Sequence, residues 1–383
     1  MIRQCRYAFS LLLFAAFVSC GTKPEPRDVR STPKSEPARP STATPAESVA
    51  GPVDRHEPAE LTCNALLPLG SEFNPCAGLN PGAARFFPSS TASAASLPAE
   101  LTRGDKDEFT LVALPDTQYY AEQHPEILLE QVRFVLKNQQ ALQVRALVEL
   151  GDLVQHGAST EQWQRAAAAF GLLERASAGQ PHGLPYGVAV GNHDQEPNGG
   201  PQGTEFYNRW FGRQRFVGRE YYGGHHATDN DNSYLTFTRG KHQYLMLLLE
   251  YDEQMDDGVL AWARDVLRSH PRHFGIVVSH FLIDARAEWG EQGRRIYAKL
   301  RTEPNLSLMM SGHMVTEARR SDPRAGGMVH TLLSDYQSRA RGGEGWLRLV
   351  RFFPNRREIG VFTYSPLLGR WEVDANSRFD LSY

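Results

Sequence analysis

Five short polar motifs, each set directly after an apolar run of strand character, constrain this chain more than anything else in it. They are Asp116-Thr117-Gln118, Gly151-Asp152, Gly191-Asn192-His193-Asp194, an isolated His280, and Gly312-His313. The runs before them (109–114, 146–150, 186–190, 274–278 and 306–310) are the length of buried strands. Helically spaced apolar positions intervene: Leu128, Val132, Val135 and Leu136, then Trp163 to Leu173, then Val259 to Leu267. Ser233 to Phe237 and Tyr244 to Leu249 read as two further strands, and Val329 to Tyr364 holds several with little helix. Strands alternating with helices, then a strand-rich end, predict an α/β fold of two packed β-sheets flanked by α-helices. Ligands of such sheets sit outside the carboxyl ends of strands, and all five motifs fall there.

Together the motifs supply carboxylates, an amide and imidazoles, the donors of a metal centre built from loops. Singly, most have a plainer reading. Asp116 and Asp152 could be turn formers or helix caps, His280 a satisfied core histidine, and Gly312-His313 a turn. Gly191-Asn192-His193-Asp194 is more specific. It puts an amide oxygen, an imidazole and a carboxylate on successive residues of a tight turn, which packing alone does not require.

This order of motifs resembles the calcineurin-like metallophosphoesterases over roughly residues 109–340. The resemblance implies a four-layer αββα sandwich and two divalent metal ions. Asp152 would bridge them. Asn192, His280 and His313 would complete one site, and Asp116 with Gln118 would build the other. A bridged pair of cations acidifies a shared water, and the resulting hydroxide attacks a phosphate mono- or diester. His193 would serve the leaving group as a catalytic acid, with Asp194 orienting its ring.

The chain departs from the family pattern twice. Gln118 stands where the first motif usually ends in His, and Val315 where the last motif usually carries a second His. Both losses fall on one site, which becomes poorer in nitrogen, weaker, and closer to Mg²⁺ or Mn²⁺ preference. The Pro-Asp-Thr-Gln form resembles an established variant of the superfamily. The motifs do not distinguish Mn, Fe, Zn or Mg. His156, His225, His226 and Glu317 are candidates for the missing ligand, surface placement being the alternative for each. Purple acid phosphatases of this superfamily carry a Tyr where this chain has Gln155, so an Fe(III)–tyrosinate site is not expected. Arg319 and Arg320, just past His313, could face a phosphate or be solvated. Asp335-Tyr336-Gln337 could line the cleft, and Tyr119 and Tyr120 could wall it or simply pack. The rival to an enzyme is a non-catalytic surface or binding lipoprotein stabilised by one metal. His193-Asp194 favours the enzyme, because a structural metal site has no use for a leaving-group acid.

The remaining sequence speaks of export. Arg3 and Arg6 precede an apolar core, Phe9 to Val18, too short to span a bilayer as a mature helix. It ends at Phe17-Val18-Ser19-Cys20, which resembles a lipoprotein cleavage box with Cys20 as the lipid-bearing residue; an ordinary secretory signal cut nearby is the alternative. Gly21, where Asp would signal inner-membrane retention, points to the outer membrane of a Gram-negative-type cell envelope. Residues 1–20 are then the signal peptide and 21–58, rich in Pro, Ser, Thr and Ala, a disordered tether. Residues 59–106 form a loosely structured lead-in, and 107–383 the metallophosphoesterase-like domain. Of four cysteines, Cys63 and Cys76 remain after processing and lipidation, and read as a disulfide in an oxidising compartment, two free thiols being the alternative. A formal net charge of −3 with no Lys/Arg run gives no nucleic-acid patch. The expected partner is a phosphorylated small molecule or envelope substrate; oligomeric state is not legible.

Lipid anchoring is directly testable. Cys20→Ser should leave the protein unprocessed or soluble, read by detergent-phase partitioning. Partitioning unchanged by the substitution would rule the anchor out.

Overall fold

Residues 97–102, 104–177, 180–195 and 203–383 are described by the computed structural model. The signal segment, the tether, Cys20, Cys63 and Cys76 lie outside the described residues. In chain order the strands are β1 (Phe109–Leu114), β2 (Val144–Glu149), β3 (Tyr186–Val188), β4 (Tyr222–His225), β5 (Ser233–Arg239), β6 (His242–Leu249), β7 (His273–Ser279), β8 (Leu306–Ser311), β9 (Glu317–Arg324), β10 (Gly327–Ser334), β11 (Leu347–Phe353), β12 (Glu358–Ser365), β13 (Arg370–Glu372) and β14 (Arg378–Ser382). One sheet runs β13-β12-β11-β1-β2-β3, with β14 also paired to β12. The other runs β4-β5-β6-β7-β8-β10-β9.

Each sheet contains a parallel block. In the first it is β1, β2 and β3. In the second it is β6, β7, β8 and β10. Parallel strands covered on both faces need apolar side chains on both, which is why they stand out as continuous runs. The two faces of β6 show the layering by parity. Tyr244, Met246 and Leu248 join the core shared with the first sheet. Leu245, Leu247 and Leu249 pack with Val259, Leu260, Ala263 and Leu267 of helix Asp257–Ser269, and with Ile296 and Leu300 of helix Glu291–Leu300. The outer face of the first sheet takes Ile127, Leu128, Val132 and Val135 of helix Pro125–Lys137, with Trp163, Ala166 and Phe170 of helix Thr160–Gly171. The result is the expected helix–sheet–sheet–helix sandwich. The same core takes in Leu101, from a short helix upstream of residue 107.

The sheets are joined differently at their two ends. Away from the motifs, Phe109 stacks on Phe352 of its own sheet at 4.6 Å and meets Tyr244 of the other edge-on at 4.6 Å. Nearer the motifs the link is ionic. Glu317 of β9 and Arg348 of β11 form a buried pair at 2.8 Å across the two sheets. Tyr336 and Thr363 donate hydroxyl hydrogen bonds to the same Glu317 carboxylate at 2.6 and 3.1 Å, and Ser377 donates a third. Arg348 also donates to the Tyr336 hydroxyl, at 3.2 Å. Tyr336 is thereby fixed, and with it the loop that follows β10.

Glu317→Ala should therefore lower stability by about 3–5 kcal/mol in urea unfolding, because it leaves the Arg348 guanidinium buried without its partner. The double change Glu317→Leu with Arg348→Met should cost less than that single change. Equal losses would mean that the pair contributes nothing specific.

Candidate metal centre

The two parallel blocks deliver their carboxyl ends to one place. Asp116 follows β1, Asp152 follows β2, the Gly191–Asp194 turn follows β3, His280 follows β7 and His313 follows β8. The chain reaches this point at a conformational cost. Asp116, Asp152 and His313 all have left-handed backbone, with φ of 44°, 60° and 73°. Such strain costs on the order of 1–3 kcal/mol per residue and persists where function demands it. The motif glycines answer a related demand. A Cβ on Gly191 would lie 2.2 Å from Asp152 Oδ1, and one on Gly312 would lie 2.0 Å from Asp116 Oδ2.

His280 is the hub. Its Nδ1 lies 3.0 Å from the Leu150 carbonyl, which can only accept, so Nδ1 carries the hydrogen. Its Nε2 then faces Asp152 Oδ2 at 3.2 Å, Asn192 Oδ1 at 3.1 Å and His313 Nδ1 at 3.2 Å. Two of these are acceptors without a hydrogen. With His280 neutral, lone pairs point at lone pairs, an arrangement that a cation among them resolves. Asp152, His280 and His313 present donor atoms all within 4.8 Å of one another. Two imidazole nitrogens, an amide oxygen and a carboxylate oxygen suit a first-row divalent ion, and the Leu150 carbonyl orients the ring as outer partners of metal-bound histidines do.

The other half of the centre is oxygen-rich. Gln118 Nε2 donates to Asp152 Oδ2 at 3.1 Å and to Gln337 Oε1 at 2.7 Å. Because Asp152 only accepts, the Gln118 amide nitrogen must face it. Gln118 Oε1 is left buried without a hydrogen-bond partner, as is Asp116 Oδ2. Two orphaned buried acceptors beside a shared carboxylate fit a second cation as well.

The charges say the same. Burial, reinforced by the Asp335 and Asp152 carboxylates, holds Asp116 well above the usual carboxylate range. Burial and the neighbouring Asp194 push Glu149 up as well. Burial lifts Asp335 to about 6 against the Gln337 hydrogen bonds. For Asp152 burial also opposes ionisation, yet the His280 and His193 charges prevail and hold it below its ordinary value. Burial works against protonated His280 too, but Asp152 beside it raises its pKa. His313 falls to about 4, through burial and the His280 charge. Carboxylates crowd this pocket beyond what its own cations balance.

Asp194 is not where the sequence suggested. Its carboxylate accepts the Gly191 N–H at 2.8 Å and the Val154 N–H at 3.0 Å, tying the Asp152 loop to the Asn192 turn. It does not orient the His193 ring; the Gln155 carbonyl does, 3.0 Å from Nδ1. A residue adjacent in a tight turn points its side chain the opposite way, so Asp194 positions the loops instead. His193 itself is half-buried, with its backbone N–H on Asp152 Oδ1 at 2.8 Å.

Arg319 and Arg320 are also corrected. Arg319 lies over the Phe379 ring at 4.0 Å, while Arg320 pairs with Asp322 at 2.6 Å and lies over Trp289. Neither is presented to the metal ligands. Tyr120 is buried and takes the Gly345 N–H at 2.9 Å, which makes it a packing residue. None of the candidate replacement ligands reaches the centre. His156 pairs with Glu122, His225 bonds Tyr222, His226 packs on Trp262, and Glu317 is committed to Arg348. Sequence reasoning missed Glu149, which accepts the Gly151 N–H at 2.8 Å, and the rings of Tyr251 and Phe281, 5.5 and 4.7 Å from His313. A buried Glu closing a strand just before Gly-Asp was a signal that could have found the first.

Residues 110–317 match the family model described as calcineurin-like phosphoesterase. A Bacillus subtilis (strain 168) protein, uncharacterized protein YvnB, is 31% identical over 269 residues, 68% of this chain but 20% of that protein. The chain thus spans about a fifth of the length of that relative. Among solved structures, a dimetal phosphatase from Danio rerio is 12% identical with a TM-score of 0.48, covering 73% of this chain and 100% of that one. The calcineurin-like phosphoesterase YfkN from Bacillus subtilis is 13% identical with a TM-score of 0.37, covering 73% of this chain and 91% of that one. With its motif residues converging on one pocket and the family model spanning more than half of its length, the chain belongs to the calcineurin-like phosphoesterase family.

Proposed function

We propose that the protein is a metal-dependent hydrolase of phosphate mono- or diesters, exported and lipid-anchored at Cys20 in the outer membrane, with Cys63 and Cys76 paired. The observation that carries the catalytic reading is the convergence of Asp152, Asn192 and His313 on His280 Nε2, a cluster that only a cation or a proton can satisfy. Divalent ions bound there would polarise phosphoryl oxygens and acidify a water for in-line attack.

The chain's own residues do the rest. Asp152 links the two halves, since its Oδ2 faces both His280 and Gln118. The His193 N–H holds the other oxygen of that carboxylate, so the His193 backbone and the Asp152 side chain move as one. With Nδ1–H donated to the Gln155 carbonyl, His193 keeps Nε2 for the substrate. In its doubly protonated form it gives the Nε2 proton to the departing oxygen and is left neutral, with Nδ1–H still on the Gln155 carbonyl. Asp194 holds the turn that carries Asn192 and His193 against the Asp152 loop.

Asp152→Ala should remove nearly all hydrolysis of an aryl phosphate or aryl phosphodiester in added Mn²⁺, while circular dichroism shows the fold retained. Wild-type turnover and metal content in that variant would refute the assignment. His193→Ala should slow hydrolysis by roughly 10²–10⁴-fold, and by less for very acidic leaving groups, which need no proton. A loss independent of the leaving group would give His193 an orienting role instead.

A further inference from the structure

The half of the centre that contains Gln118 lacks a histidine at position 315, and the fold brings another donor to the gap. β10 runs parallel to β8, so its carboxyl end emerges beside the Gly312-His313 turn. The first residue past β10 is Asp335. Its backbone N–H bonds the Thr316 carbonyl at 2.9 Å, one residue from Val315. β10 thus sets a buried carboxylate beside the turn that carries Val315, whose own side chain is 48% exposed.

Asp335 is held for that task. It is 2% exposed. Gln337 donates to it twice, from its backbone N–H at 2.9 Å and from Nε2 at 2.8 Å. The Oε1 of the same Gln337 amide accepts from Gln118 at 2.7 Å. Gln337 therefore couples Asp335 directly to the first motif. No Lys or Arg forms a salt bridge with Asp335 among the described residues, although Arg348 and Arg339 nearby are matched to Glu317 and Glu372. Among the described residues, the side-chain hydrogen bonds of this buried carboxylate come from Gln337, the same residue that holds Gln118.

We propose that Asp335 is the ligand that replaces the missing histidine, completing with Asp116, Asp152 and Gln118 an all-oxygen site for a hard divalent cation, and that Gln337 positions it. This rests on the metal-centre reading above. The centre is then asymmetric by construction: one site rich in imidazole, the other made of carboxylate and amide oxygen, as Mn²⁺ or Mg²⁺ prefers.

The test is Mn²⁺ binding by the purified full chain, followed by titration calorimetry and by the rise of the thermal midpoint with metal, both independent of turnover. Wild type should take up two ions. Asp335→Ala should take up one, and that retained ion reports an intact fold. Gln337→Ala should keep both, with the second weakened roughly 10–100-fold, the usual cost of losing an outer partner of a ligand. Val315→His in the Asp335→Ala background should restore the second ion. Two ions held by Asp335→Ala with unchanged affinity would overturn the proposal, as would a single ion in wild type. A wild-type chain that binds no Mn²⁺ would instead refute the metal centre itself, so the two failures are separable.

Discussion

The structure is organised around a concentration of buried negative charge where two parallel blocks of strands end. Asp116, Glu149, Asp152, Asp194 and Asp335 are each at most 2% exposed. Left to itself, such a group of carboxylates would repel and take up protons. Backbone holds it together. N–H groups of Gly151, Gly191, Val154, His193 and His313 each point at one of these carboxylates, at 2.8–3.0 Å. Charge-assisted bonds of this kind are short and strong, but they fix the carboxylates without cancelling their charge. The remaining negative potential is what the site offers to a cation, and the left-handed backbone at Asp116, Asp152 and His313 keeps the oxygens aimed inward.

The same constraint explains why the strand ends are built as they are. Glycine stands before Asp152, Asn192 and His313, and at each place a Cβ would collide with a neighbouring motif: His280, Asp152 and Asp116 respectively. The loops are packed backbone to side chain, each against the next. A motif glycine is therefore a statement about the distance between two loops from different strands. It also means that one loop cannot relax without moving its neighbour, which keeps the donors converged before any ion arrives.

Much of this was legible in the sequence because parallel strands buried on both faces leave long apolar runs. β1 is read from 109 to 114 with its observed limits, and β7 and β8 differ from their runs by a residue or so at the ends. What stayed hidden has a physical reason in each case. β9 reads Glu-Ala-Arg-Arg-Ser-Asp-Pro-Arg and lies at a sheet edge, paired on one side, where Pro323 and charges are tolerated and no apolar run is needed. Its arginines follow His313 in sequence, which left phosphate contact or solvation open for them, but strand alternation sends Arg319 to Phe379 and Arg320 to Asp322. Helix Glu291–Leu300 buries Ile296 and Leu300 among charges, too sparse a stripe to stand out. Asp194 was placed beside His193 because the chain places it there, whereas a tight turn separates the two side chains. The motif residues converge as a set because each sits at a strand end, where sequence order and spatial position coincide.

The asymmetry of the centre follows from the same topology. Imidazole donors come from β7 and β8, central strands of the second sheet, where His280 is fully buried and ringed by Tyr251 and His313. The oxygen donors come from β1 and β2 of the first sheet, and β10 adds a carboxylate beside them. Asp152 belongs to the oxygen side by chain position and to the nitrogen side by contact, since one of its oxygens meets His280 and Gln118 together. Exchanging an imidazole for a carboxylate in the first-sheet half raises its negative charge and hardens its donors, which favours exchangeable ions with several waters over tightly held ones. The link through Gln337 adds a mechanical consequence. Any shift of the β10–β11 connection moves Gln337, and with it both Gln118 and Asp335, while the His280 side remains anchored to Leu150. The buried Glu317–Arg348 pair and Tyr336 hold that connection still. The ion pair between the sheets is therefore part of the metal site's rigidity, although neither residue touches it.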